Sequence, residues 1–176
     1  MSSARAQQSS RPRTAAPVLT MPARKRVALV AAEAALDRAS DAAVRAWDAG
    51  TCWRERVRGS VAAILALAEA HPDAARGTLA ALDHPALGRR RAELEARLLR
   101  AIRQGAEDPD AVDAQPQSAP WVLHTALAVL RARLAAEPAP ELTDLTETLT
   151  ALVCLPSLSP ATVLATLARP AAPGPA

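Results

Sequence analysis

Between Thr51 and Ala70 the apolar residues Trp53, Val57, Val61, Ile64, Leu65 and Ala68 recur at i, i+4, i+8, i+11, i+12 and i+15. That spacing is a single stripe along one face of an α-helix. Arg54, Glu55, Arg58 and Glu69 occupy the other face, and Thr51 offers an N-cap. His71-Pro72 closes the element, because the residue before a proline is pushed out of helical geometry. A rod that is apolar on one side has to bury that side against others, so the chain reads as a helical packing unit.

The remaining pattern is of the same kind. Val27–Asp48 predicts a first helix with a weaker stripe of Val27, Leu29, Val30, Leu36, Val44 and Trp47, and Gly50 is placed to end it. Asp73–Leu82 predicts a short helix, with Asp73 as N-cap and Leu79 and Leu82 inward. After His84-Pro85, Ala86–Gln104 carries Leu87, Leu94, Leu98 and Ile102 at i, i+7, i+11 and i+15, with Glu93 and Arg97 spaced as an i,i+4 ion pair. The run Arg89-Arg90-Arg91 reads as a solvated helix face, since Glu93 and Glu95 follow at once and no aromatic residues interleave. Ser118 is an N-cap for Ala119–Ala136, whose Leu123, Leu127, Leu130 and Leu134 repeat at i, i+4, i+7 and i+11. Glu141–Leu155 follows, with Leu142, Leu145, Leu149, Leu152 and Val153, and Ser159-Pro160 opens a last short helix, Ala161–Ala168. No alternating run of β-formers is bounded by hairpin turns, so the expected fold is an all-α bundle of six to seven helices.

Charge changes this picture at the ends. Arg5, Arg11, Arg13, Arg24, Lys25 and Arg26 give residues 1–26 six bases and no acid, which leaves fifteen bases against all 18 acids in the rest. The net +3 therefore belongs to a Ser/Gln/Pro-containing arm, and the helical body is mildly acidic. Such an arm, expected to be disordered, can make weak nonspecific contact with phosphates. Residues 105–117, with Glu107, Asp108, Asp110 and Asp113, read as a flexible acidic loop without the EF-hand order of ligands, and 170–176 as a disordered tail. The helical domain is expected to span 27–169.

Catalytic chemistry finds no foothold. Cys52 and Cys154 are far apart and form no metal-ligand spacing, and His71, His84 and His124 have no partners at relay or ligand distance in sequence. Cys52, near a helix N-terminus where a thiolate is favoured, stands without a resolving thiol. There is no phosphate-binding glycine loop, nucleophile elbow or HExxH. No enzyme activity, cofactor or metal is expected. The longest uncharged run, Thr148–Ala168, is interrupted by Pro156 and Pro160 and does not read as a membrane span; no secretory signal is recognisable either, and a cytoplasmic location is the expectation.

Four segments, taken in order, resemble the C-terminal domain of TetR-family transcriptional regulators. AVRAWDAGTCWRERVRGSVAAILALAEAHPDAAR is similar to the long central helix of that domain with the short helix behind it. HPALGRRRAELEARL is similar to the Arg-rich helix that follows, APWVLHTALAVLRARL to the first helix of the dimer-forming pair, and ELTDLTETLTALVCLPSLSPATVLATLARP to the closing helix. No counterpart of the family's N-terminal helix-turn-helix is expected in these residues. Three helices with turns need on the order of 45 residues, and the residues before Val27 hold no periodic apolar pattern.

The resemblance implies a regulatory domain that dimerises, binds a small apolar effector and affects transcription indirectly, as a homodimer or as a heterodimer with a full-length TetR-like regulator. It implies a pocket to which Trp53, Ile64, Trp121 and His124 are candidate contributors. It also implies a dimer interface, with Leu123, Leu127, Leu130, Leu134, Leu145, Leu149 and Leu152 as the candidate seam. The alternative is a nonspecific nucleic-acid-associated protein acting through its basic arm.

Overall fold

The computed structural model describes residues 22–105, 107, 119–136, 141–159 and 161. Among them are six α-helices and no strand: α1 Ala23–Ala49, α2 Trp53–Ala70, α3 Pro72–Ala81, α4 Gly88–Gly105, α5 Ala119–Ala135 and α6 Thr146–Cys154. Short 3-10 turns at Pro85–Leu87 and Thr143–Leu145 lead into α4 and α6. The all-α bundle is thus the fold. Most of the N-terminal arm, most of the acidic loop, Ser118 and the body of the expected last helix lie outside the described residues.

α1 begins at Ala23, four residues earlier than the apolar pattern predicts, so Arg24, Lys25 and Arg26 are helical and exposed rather than part of the arm. α1 and α2 form the most extensive pairing in the molecule, and small residues bring them together. An added Cβ on Gly59 of α2 would stand 3.3 Å from the Ala46 carbonyl oxygen of α1. Ser60 Oγ donates to the Ala43 carbonyl at 2.9 Å. The alanines that make the α1 stripe look weak are what let its backbone approach α2.

Two apolar clusters hold the bundle. One gathers Trp53, Val57, Ile102, Val122, Ala151, Val153, Cys154 and Leu158; the other gathers Leu36, Leu65, Leu79, Leu82, Leu134, Leu142 and Leu149. Val61 and Leu152 touch both. The α2 start differs from expectation. Cys52 rather than Thr51 is the N-cap, and Glu55 reaches back to accept from both the N–H (3.1 Å) and the hydroxyl of Thr51. The Glu55 carboxylate thus ties the residue before the N-cap to the first turn of α2. Asp73 likewise falls inside the first turn of α3, and His71 occupies its N-cap position.

Polar side chains tie one helix end to the next. Glu69, in the last turn of α2, accepts from the backbone N–H groups of Leu142 and Thr143 at 2.9 and 3.0 Å, which satisfies donors at the entry to α6. Arg76 of α3 donates to the Leu134 carbonyl of α5 at 2.8 Å, and Arg131 of α5 donates to the Leu79 carbonyl of α3 at 2.9 Å. Each arginine therefore caps the helix opposite. No helix among the described residues is long and apolar enough to cross a membrane.

Candidate functional site: an apolar cavity inside the bundle

The helices do not close completely on one another. They leave between them a half-open cavity of about 550 Å³, to which all six contribute. From α1 come Ala35, Leu36, Ala39, Ala43, Val44 and Trp47; from α2, Val57, Val61, Ile64, Leu65 and Ala68. The wall continues through Leu79 of α3, Leu94, Leu98 and Ala101 of α4, Leu123, Ala126, Leu127 and Leu130 of α5, and Leu149 and Val153 of α6. Small-molecule sites span roughly 300–1,000 Å³ and are mostly apolar, so both size and lining suit one small ligand.

Polar lining groups are the minority: Ser40, Ser60, His71 and Thr78, with Arg38, Arg97, Arg100 and Gln104. Ser60 is bonded to Ala43, and the Thr78 hydroxyl donates to the Ala74 carbonyl at 2.7 Å, so both hydroxyls are engaged by backbone. Val44 and Ile64, 52% and 37% exposed, are large apolar side chains that face the cavity and remain open to solvent through it. Unburied apolar surface inside a concavity is what an apolar ligand would cover.

The candidate pocket residues divide. Ile64 lines the cavity; Trp53, Trp121 and His124 do not. Trp53 is taken by the core. Its Nε1 donates to the Ala101 carbonyl at 2.7 Å, and its ring lies on Gly105, where an added Cβ would stand 2.3 Å from Cζ2. Trp121 is 58% exposed, and His124 is exposed on the same outer face of α5. The tryptophan that does line the cavity is Trp47. Its register with Leu36, Ser40 and Ala43 at helical spacing was the available signal, masked by the alanines between them.

Of the candidate dimer leucines, Leu134 and Leu149 are buried and the other five are partly buried in the single chain. Leu123, Leu127, Leu130 and Leu149 line the cavity, Leu134 is 3% exposed, and Leu145 and Leu152 pack on the core. Leucine periodicity alone does not distinguish an inner wall from an outer seam, because both need one continuous apolar face.

The electrostatics of α4 also depart from the spacing rule. Glu93 pairs not with Arg97 but with Arg89 at 3.6 Å and Arg90 at 2.7 Å. The hydrogen bond from Arg90 and the surrounding guanidinium charge hold its carboxyl below the usual carboxylate range. Arg90 also reaches Asp37 of α1, while Arg91 meets Asp83 at 3.1 Å and Glu95 at 3.4 Å. Arg90 and Arg91 therefore tie α4 to its neighbours, whereas Arg89 stays largely solvated. His84 has a local role: its Nδ1 accepts from the Ala86 N–H at 3.2 Å and caps the Pro85–Leu87 turn. No group of three or more potential metal ligands exists among the described residues.

No protein-family model, curated protein or solved structure matches this chain.

Proposed function

We propose that the helical body is a ligand-binding module that takes one small apolar molecule into its cavity. By its resemblance to the TetR effector domain, it uses that binding for regulation acting indirectly on transcription. The cavity carries the reading. About 550 Å³ of apolar-walled space, bordered by six helices, is larger than the packing gaps of an ordinary core. An apolar molecule entering it would replace missing dispersion contacts and remove Val44, Ile64 and Trp47 from water.

Association with a second copy or a TetR-like partner remains part of the proposal, on a different surface from the leucine seam. The outward face of α5, with Trp121, His124, Ala128 and Ala132 exposed, supports this as one surface open to a partner. The ligand reading is tested by titrating the full chain with phenylnaphthylamine, a neutral dye that brightens in apolar surroundings. Saturation at one dye per chain, together with a rise in urea midpoint set by ligand concentration over Kd, is the expected result. A linear, unsaturable signal contradicts it.

A further inference from the structure

The cavity wall is apolar in its depth but not at its edge, and the edge carries one sign of charge. Arg38 of α1 and Arg97 and Arg100 of α4 all line it, together with Gln104, and no carboxylate is among the described lining residues. This contrasts with the sequence from Val27 onward, in which acids outnumber bases. It also contrasts with the other lining polar groups already described, Ser60 and Thr78, which are bonded to backbone.

Side-chain bonding separates these arginines from those that brace the fold. Arg58, Arg76, Arg90, Arg91 and Arg131 are all engaged by carboxylates or carbonyls of neighbouring segments. Among the described residues, no hydrogen bond or ion pair engages the guanidinium groups of Arg38, Arg97 or Arg100. Glu93, the i−4 partner of Arg97 by spacing, is in direct contact with Arg89 and Arg90, and Arg97 acts on it only through its charge. Arg97, Arg100 and Gln104 then fall at i, i+3 and i+7, beside Leu94, Leu98 and Ala101 on the cavity side of the same helix. α4 thus presents apolar and cationic groups to one space.

We infer that the cavity takes a single-chain amphiphile with an oxyanion head, its tail in the apolar interior and its carboxylate or equivalent at Arg97 and Arg100, with Arg38 a further cation lining the same cavity. This rests on the cavity reading above and deepens it. The chemistry follows from the two kinds of surface. Away from the arginines and Gln104 the polar lining groups are few: Ser60 and Thr78 are bonded to backbone, and only Ser40 and His71 add to them against a largely aliphatic wall. The edge offers guanidinium forks, which present paired N–H donors matched to an oxyanion. Exposure keeps each pairing modest and salt-sensitive, so the head sets selectivity while the tail supplies most of the affinity.

The test measures displacement of phenylnaphthylamine from the full chain by dodecanoate, dodecanol and dodecyltrimethylammonium, each kept below its aggregation concentration. In the native chain dodecanoate is expected to bind at least tenfold more tightly than the cationic probe at low salt. In an R97Q/R100Q variant dodecanoate weakens about tenfold while dodecanol changes less than twofold. Both positions are exposed, so the variant keeps the native urea midpoint. Equal losses for dodecanoate and dodecanol, or no loss for either, overturn the headgroup assignment and leave the cavity reading standing. Failure of the dye itself to bind overturns both. Dye capacity that falls as protein concentration rises assigns the cavity to a second copy and also overturns the amphiphile.

Discussion

Gly105 and Trp53 carry more of the structure than their sequence positions suggest. The indole lies where a side chain on residue 105 would have to be, and its N–H satisfies a carbonyl in the last turns of α4. Ser157 Oγ does the same for Ile102 at 3.0 Å, so two donors from distant segments fix the α4 C-terminus. Gly105→Ala is expected to displace the ring and cost about 1–3 kcal/mol in urea unfolding; an unchanged midpoint contradicts that packing. Glu55 supplies a second residue-scale prediction. Hydrogen bonds from the Thr51 hydroxyl and then its N–H hold the carboxyl below the ordinary value. A carboxylate favoured in the folded chain contributes stability at pH values above its unfolded pKa, about 4.3, and loses that contribution as pH falls through the lower folded value. Glu55→Gln should therefore flatten the decline of the urea midpoint in that acid range. A profile identical to the native one would show the pair to be without consequence.

At the scale of elements, the helices were legible because each carries a stripe of Leu, Val or Trp at helical spacing, and their bounds shifted by only a few residues. α1 is the instructive case. Its run of alanines carries little hydrophobic contrast, yet those small side chains are what allow the close crossing with α2 at Gly59 and Ala46. Stripes say that a face is buried, not against what. Hence the stripe of Leu123, Leu127 and Leu130 fits a seam and a cavity wall equally well, and Trp53, a pocket candidate by resemblance, lies in the core. Polar tethers between distant segments left no local trace at all. Glu69 is an example, an ordinary surface glutamate by sequence that accepts from two N–H groups 73 and 74 residues away. Glu69→Ala is expected to cost about 0.5–2 kcal/mol, as other lost N-terminal caps do. Amide exchange should quicken at Leu142 and Thr143 in particular; protection unchanged at both would contradict the capping role.

For the whole molecule, the question is how a chain with two apolar clusters also keeps a cavity between its helices. Large side chains form the two clusters, while the small side chains of Ala35, Ala39, Ala68, Ala101 and Ala126 in the cavity wall leave space between the helices. Leu134 is buried within the single chain. Leu134→Ala should therefore lower stability by about 2–5 kcal/mol by an amount independent of protein concentration, whereas a loss that shrinks as concentration rises would place Leu134 between copies. The cavity itself is tested most directly by the dye titration, repeated on Ala39→Phe and Ala126→Phe chains in which a benzyl group is built into the space. Saturable binding of one phenylnaphthylamine per native chain, weakened at least tenfold in both variants at a near-native urea midpoint, is the predicted result. Undiminished binding in both folded variants would contradict it, because the dye would then sit somewhere other than between these helices.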